Sequence, residues 1–395
     1  MLTLEDALER LLARARPTAD EEVPLGEANG RVLADPRVVA PLDVPPFANS
    51  AMDGFALRSA DTPGRLRVVA EVTAGMNGLP TTSAGEAVRI MTGAPIPPGA
   101  DAVVALEDAH ETNGSVQVPL AQPGAFVRLA GSDTVAGTDV HLRGFLGAAA
   151  VAVLASFGLD RVRVRIRPTV AILSTGDELV EPGQQLRPGQ IYDSNALALA
   201  AAVAEAGGTA HRLGRVADTR AGVEDALRAG AGFDLVVSSG GVSVGRHDHV
   251  REVLEEAGSL DFWRVAVQPG KPLAVGELAG TLVIGLPGNP VSAIVTFELF
   301  VRPLIRAMLG LAGDGRPRVL ARPTERSAKD PARRAFLRVR ARREGGEIVA
   351  ASAGGQGSAQ LRRLAEANAL LVVPEGEEAA DPARSYEAII LAELS

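Results

Sequence analysis

Val170-Ala171-Ile172-Leu173-Ser174-Thr175-Gly176-Asp177-Glu178-Leu179 decides the architecture of this chain. It opens on an unbroken apolar run, and polar residues begin only where the run stops. A strand with one wet face alternates apolar and polar side chains, whereas a strand covered on both faces is apolar throughout. Leu235 to Val237 and Leu282 to Ile284 repeat the pattern. Between and after them lie helical stretches at Ala196 to Ala206, Ala221 to Ala229 and His249 to Ala257, each followed by glycine. Doubly covered strands alternating with helices predict a doubly wound parallel sheet. Pro168 opens this α/β domain and a helix from Val291 to Leu309 ends it, which places the domain at 168–312.

Outward from that centre the chain changes character. Thr3 and Asp6 resemble a capping box before a helix with Leu4, Leu8, Leu11 and Leu12 on one face. Leu146 to Phe157 reads as an apolar helix ended by Gly158, and Val162, Val164 and Ile166 alternate with arginines as a half-exposed strand. These segments suggest a discontinuous helical and extended N-terminal domain from 1–40 and 131–167. Residues 41–130 are rich in Pro and Gly, with β-like runs at Leu66 to Val69, Val88 to Met91 and Val116 to Val118, and read as a small β domain. Beyond 313, Phe336 to Arg340, the Gly345-Gly346 turn, Ile348-Val349 and Leu370 to Val373 predict a C-terminal β barrel over 313–395. The expected fold class is α/β multidomain.

The bulk properties agree. At 395 residues the chain exceeds the roughly 100–200 residues of one domain. A hydrophobic fraction of 46% with 22% charged residues is that of a folded protein. A net charge of −8 argues against a general binder of nucleic acid or anionic membrane. The N-terminus is acidic where a signal peptide is basic, and the run 146–157 is shorter than the ~20 residues of a membrane span, so a cytoplasmic location is expected. No cysteine is present, which excludes disulfides, thiolate zinc sites and a cysteine nucleophile. Of 40 Lys and Arg residues only Lys271 and Lys329 are lysine. A chain that otherwise writes arginine has kept Lys271 where the two are not interchangeable.

Ligands of an open parallel sheet bind beyond the carboxyl ends of the strands, where helix N-termini offer free N–H groups. Three loops meet that condition. Ser174-Thr175-Gly176-Asp177-Glu178 puts two carboxylates past one strand; Asp177 can equally be a helix cap, but a cap does not need Glu178 beside it. Ser238-Ser239-Gly240-Gly241-Val242-Ser243, followed by Asp248, is either a turn or a nest for an anion such as phosphate. Gly285-Leu286-Pro287-Gly288-Asn289-Pro290 starts a helix with Asn289 as cap and Pro290 at its first position. His247-Asp248-His249 lacks a spaced third ligand and reads as solvated. Pro269-Gly270-Lys271-Pro272 departs from the Walker pattern. Asp53 lies in a tight turn between two phenylalanines, Thr92 follows a strand, and Gly354 to Ser358 precede a helix from Ala359 to Ala365 as an anion site or a capped linker.

Taken together these segments resemble the molybdopterin molybdenumtransferase family, the MoeA proteins and the gephyrin E domain. The similar text is PPFANSAMDGFALR from Pro45, RIMTGAPIPPGADAVV from Arg89, STGDEL from Ser174, GQIYDSN from Gly189, SSGGVSVG from Ser238, PGKP from Pro269 and GLPGNPVSA from Gly285. The resemblance implies a molybdopterin-binding α/β domain and a homodimer whose active site forms between that domain and the partner's β domain. It implies that adenylylated molybdopterin and molybdate give molybdenum cofactor and AMP with Mg2+, the substrate being delivered by a molybdopterin adenylyltransferase partner. On that basis Glu178, Asp248, Asp53 and Asp177 handle Mg2+ or the attacking water, with Asp177, Glu178 and Asp248 as metal ligands. Ser239, Gly240, Gly241 and Ser243 bind the pterin phosphate, with Ser174, Thr175, Gly176, Pro287 and Pro290 also on the substrate side. Thr92 completes the partner's pocket, and Lys271, Ser358 and one of Arg334 and Arg338 face molybdate. Gln268 stands where the family often has a basic residue. The alternatives are a molybdopterin adenylyltransferase, resembling 168–312 alone, a non-catalytic cofactor-binding scaffold, and tungstate in place of molybdate.

Overall fold

The computed structural model describes residues 1–242 and 249–394. The chain forms two compact units, Met1–Glu21 with Arg165–Ser395, and Glu22–Val164.

In the first unit, helix α1 (Leu4–Leu12) is capped by the Thr3 hydroxyl, which accepts from the Asp6 N–H at 3.1 Å. The α/β domain runs β1 (Thr169–Thr175), α2 (Ser194–Ala206), β2 (Thr209–Val216), α3 (Arg220–Ala229), β3 (Leu235–Ser239), α4 (His249–Ala257), β4 (Ser259–Trp263), β5 (Ala274–Leu278) and β6 (Thr281–Leu286). The sheet order is β2-β1-β3-β6-β5-β4. Strands β2, β1, β3 and β6 pair in parallel, as expected. The sheet also carries an antiparallel edge of β5 and β4 that the sequence reading did not foresee. Its hairpin to β6 turns on Ala279 (φ 52°) and Gly280 (φ 82°), and two successive positive φ angles form the tight turn that matches strand twist. Ala-Gly is a faint turn signal beside Asn-Gly or Asp-Gly.

The apolar runs are buried on both faces. Val170, Ile172, Leu235, Val237 and Ile284 pack into one core with α1 and α2. Their neighbours Ala171, Leu173, Val236 and Val283 pack into a second core with α3 and α4. The helix expected at 291–309 is interrupted: α5 (Pro290–Thr296) passes through a wider turn at Phe297–Val301 into α6 (Arg302–Met308). There the Arg302 N–H bonds to the Phe297 carbonyl, five residues back. Pro303 has no N–H to give to the residue four back, so the regular ladder cannot continue.

Strands β7 (Arg318–Pro323), β8 (Arg334–Glu344), β9 (Glu347–Ser352), β10 (Ala369–Val373) and β11 (Tyr386–Ile390) close into the expected barrel, in the order β8-β9-β7-β11-β10 with β10 returning to β8. Leu337, Val339, Leu371, Tyr386 and Ala388 fill it, while Phe336, Leu370 and Ile389 belong to the α1–α2 core of the sheet. Barrel and α/β domain therefore share apolar packing. Lys329 is only 8% exposed and donates its ammonium to the Asp330 carbonyl (3.2 Å) and to that of Arg333 (2.5 Å).

The second unit contains a six-stranded sheet in the order Ala102–Ala105, Gly54–Leu57, Glu86–Ile90, Gly64–Val72, Ser115–Val118, His110–Thr112. A smaller core in the same unit gathers Val23, Leu25, Leu33, Leu146, Leu154 and Val162 around the helix Ala148–Ser156. Among the described residues no helix is long and apolar enough to cross a membrane.

Phe297, wholly buried at the irregular turn, is expected to be costly to truncate. Phe297→Ala should destabilise its unit by about 3–5 kcal/mol, measured as a lower urea midpoint; an unchanged midpoint would show that the turn is not packed as described.

Candidate functional site

Because β1, β3 and β6 are covered on both faces, their polar residues collect where the strands end. Thr175, Ser239 and Leu286 are the last residues of these strands, and a cavity of about 600 Å³ opens beyond them. Its lining takes Thr175, Gly176 and Glu178 from the first loop, Ser239 to Val242 from the second, and Pro287 to Pro290 from the third. The start of α2 contributes Asp193, Ser194 and Asn195, and Asp218, Pro272 and Ala359 also line it, beside the apolar Leu179, Ile191 and Tyr192.

Local geometry explains the residue types. Gly240 (φ 93°) and Gly241 (φ 70°) both have positive φ, and a Cβ would stand 2.6 Å from Thr175 Oγ1 at the first and 2.9 Å from Val250 Cγ2 at the second. Only glycine lets the backbone turn there; the Gly240 N–H is donated to the Leu286 carbonyl at 3.0 Å, which ties this loop to the end of β6. Asp193 caps α2 by accepting from the Ala196 N–H at 3.0 Å, so the positive end of a 13-residue helix borders the cavity. Asn195 joins two of the loops, donating from Nδ2 to Ser239 Oγ at 2.7 Å and to the Gly288 carbonyl at 2.8 Å. Preformed donors therefore lie beside the carboxylates of Glu178 and Asp218.

The residues singled out in the sequence separate into groups. Glu178, Thr175, Gly176, Ser239, Gly240, Gly241, Pro287 and Pro290 share this cavity. Ser174 lies deeper, 1% exposed, with its hydroxyl buried and unpartnered. The side chain of Asp177 is not part of the lining, and its carbonyl accepts from Arg215 at 3.3 Å. Lys271 is exposed and precedes the lining residue Pro272. The Ser358 carbonyl accepts from the Val291 N–H at 3.1 Å, closing the first turn of α5, and the following Ala359 lines the cavity. The helix expected at 359–365 begins at Leu361.

Arg338 is 1% exposed and donates to the carbonyls of Gly355 (2.8 Å) and Gly357 (3.0 Å), so it clamps the glycine loop. Burial pushes its guanidinium below the usual arginine range. Arg334 is paired with Glu5 and with Glu375 at 3.1 Å. Gln268 turns its side-chain oxygen to the Asp330 N–H at 3.1 Å. Ser243 and Asp248 lie outside the described residues.

Asp53 and Thr92 belong to the second unit, where the register Gly54↔Ile90 places them at one strand end. Asp53 Oδ1 accepts from the Thr92 N–H at 2.6 Å and from its hydroxyl at 2.7 Å. The backbone hydrogen bond first, and the hydroxyl second, hold this carboxyl below the ordinary aspartate range. Gly54 is required beside it, because a Cβ there would stand 2.0 Å from the Val104 carbonyl oxygen.

Several cavity residues carried no role in the sequence reading, among them Asp193, Ser194, Asn195 and Asp218. Asp218 follows β2, whose polar, exposed sequence hides a strand, so the strand-end rule was not applied to it. Asn195 lay in a quoted segment but carried no role. Among the described residues no three of His, Cys, Asp and Glu converge as a metal cluster.

The fold and cavity define a multidomain α/β protein with a polar cavity at the carboxyl edge of its sheet, joined to a β barrel. Family models cover most of its length: the MoeA N-terminal region (domain I and II) over residues 2–158, a probable molybdopterin binding domain over 171–307, and the MoeA C-terminal region (domain IV) over 321–390. Molybdopterin molybdenumtransferase 2 of Mycobacterium tuberculosis is 41% identical over 375 residues, 89% of this chain and 90% of its own. The molybdopterin molybdenumtransferase of a Nostoc species is 41% identical over 373 residues, 90% of this chain and 85% of its own. Two crystal structures of a molybdopterin biosynthesis MoeA protein from Pyrococcus horikoshii superpose with TM-score 0.84, at 35% and 29% identity, one covering 100% of both chains and the other 99% of this chain and 100% of its own. The chain belongs to the molybdopterin molybdenumtransferase family.

The Asp53 contact gives a measurable sign. A carboxyl with a depressed folded pKa contributes stability that is complete above the unfolded aspartate titration and lost as pH falls through the folded one. Thr92→Val removes the hydroxyl donor and keeps the backbone one, so the Asp53 pKa should rise part of the way to its ordinary value in a carboxyl NMR titration. An Asp53 resonance that titrates identically in both proteins would refute the contact.

Proposed function

We propose that the cavity at the strand ends binds adenylylated molybdopterin, and that the chain inserts molybdate into it to give molybdenum cofactor and AMP. The observation that carries this reading is the pairing of oxyanion donors with carboxylates on one wall. Gly241, Ser239 and the start of α2 suit the phosphate, while Glu178 and Asp218 supply acids beside it. Lys271 and the Ser358 loop supply the molybdate side of the proposal.

The donor set fits Mg2+. It offers oxygen alone, and Mg2+ is held by one or two carboxylates plus substrate phosphates and water, so no cluster of three acids is needed. Glu178 and Asp218 would hold it, and the sequence resemblance adds Asp248 to them. When bound, the ion supplies charge neutralisation at the phosphoanhydride that is cleaved. In this reading the residues of the chain do the remainder: the Gly241 N–H and the Ser239 hydroxyl orient the phosphate, and Glu178 takes a proton from the attacking oxygen nucleophile.

The adenylyltransferase alternative accounts for residues 168–312 only, whereas the matches at 2–158 and 321–390 extend to both other parts of the chain. An adenylyltransferase as the supplier of substrate, and a homodimer, complete the proposal. Support for the dimer comes from an exposed apolar face on the second unit, where Phe47 (46%), Phe126 (46%) and Leu129 (65%) flank the paired segments Asn49–Ser50 and Val127–Arg128.

The test follows AMP release and metal content with adenylylated molybdopterin and Mg2+, with and without molybdate. Molybdate-dependent AMP release is expected, and Glu178→Gln and Asp218→Asn should each slow it by about a hundredfold with the fold retained. Binding without AMP release would reduce the protein to a carrier.

A further inference from the structure

Asn195 has an arrangement whose chemistry leaves little freedom. A single atom, Nδ2, is 2.8 Å from the Gly288 carbonyl oxygen and 2.7 Å from Ser239 Oγ. The two ends of a side-chain amide are ordinarily exchangeable assignments. Here they are not, because a backbone carbonyl has lone pairs and no proton, so only the nitrogen can face Gly288. The same nitrogen then faces Ser239, and a nitrogen of this kind only donates. Ser239 Oγ therefore accepts, and its one proton must go elsewhere. No described residue takes it. Ser239 is 3% exposed and lies on the cavity wall, so the open direction is the cavity.

The other end of the amide supports the point. Asn195 Oδ1 is buried with no partner. A buried acceptor without a donor costs free energy, and reversing the amide to relieve it would set two oxygens against each other at Gly288. The orientation is held by its two donated bonds at the expense of the oxygen. Asn195 also stands in the first turn of α2, and its partners lie at the ends of β3 and β6, so one side chain ties three elements of the site together.

We infer that Asn195 is a positioning residue that makes Ser239 a one-way hydrogen-bond donor into the cavity, directed at a phosphate oxygen of the substrate. It touches no substrate itself. The inference rests on the proposed function for the existence of that phosphate. Its consequence is selectivity: with the hydroxyl polarity set by Asn195, Ser239 favours an oxyanion and offers nothing to a ligand group that must donate.

The experiment is a double-mutant cycle on the full-length protein. Dissociation constants for adenylylated molybdopterin, with molybdate omitted, are measured for wild type, Asn195→Ala, Ser239→Ala and the double variant. Melting temperatures are recorded for all four. Each single variant should weaken binding by about tenfold, the worth of one hydrogen bond to a charged group. The double variant should be no weaker than Ser239→Ala, since Asn195 acts through that hydroxyl. The loss should fall on Kd and KM, with turnover retained at saturating substrate. Should alanine unfold the protein, Asn195→Leu keeps the volume and removes both donated bonds without adding charge; its loss should be about tenfold in the wild-type background and vanish in the Ser239→Ala background. Losses that multiply in the double variant, or binding unaffected by Asn195 substitution, would overturn the inference while leaving the proposed function standing. A wild type that does not bind adenylylated molybdopterin would overturn both.

Discussion

Covering β1, β3 and β6 on both faces leaves them one place to carry polar chemistry, and the site follows from that constraint. Along these strands the apolar side chains enter one of two cores. A parallel register keeps the strands in step: Ser174 pairs with Ser239, and Ser239 with Leu286. The loops therefore leave the sheet at one level, and the glycines of the second loop let it lie against the first. Burial and register, acting through the sheet, converge three loops of which the first and third are more than a hundred residues apart.

The barrel reaches the same cavity through backbone contacts. Arg338 cannot reach water from its buried position, and its N–H groups are taken by carbonyls of the glycine loop. That loop in turn closes the first turn of α5 through Ser358 and places Ala359 on the cavity wall. A second tie holds the base of the barrel, where Arg316 donates to Glu298 at 2.9 and 2.8 Å. Removing one partner of such a buried pair would strand the other charge, which is why bidentate arginine suits it.

The cavity also poses an electrostatic problem. Glu178 and Asp218 line the same wall as the donors for an anion, and two like charges 4 Å apart repel by about 4 kcal/mol at an effective dielectric of 20. The helix N-terminus and backbone N–H groups offset part of this. A divalent cation between acid and phosphate reverses the sign of the interaction, which is the physical reason that the proposed chemistry calls for Mg2+.

Much was already determined in the sequence. Uniformly apolar runs identify doubly covered strands, the glycines after each helix mark where it stops, and the capping pair Thr3 and Asp6 starts α1, because these are short-range effects of pattern and backbone stereochemistry. The strand-end rule located Glu178, Ser239, Gly240 and Gly241 on one edge for the same reason. What the tertiary structure alone decided concerns edges and partners. β2 is an exposed edge strand with a polar sequence, so Asp218, just beyond its end, left no local signal. The β5–β6 hairpin turns on Ala279-Gly280, which is weak as a pattern and strong only as geometry. Arg338 and Asn195 look like any arginine or asparagine in the chain, and their roles arise from carbonyls supplied by remote segments: Gly355 and Gly357 for the first, Gly288 for the second. Hydrogen-bond direction depends on which atom is opposite, and that is decided only when the chain has folded.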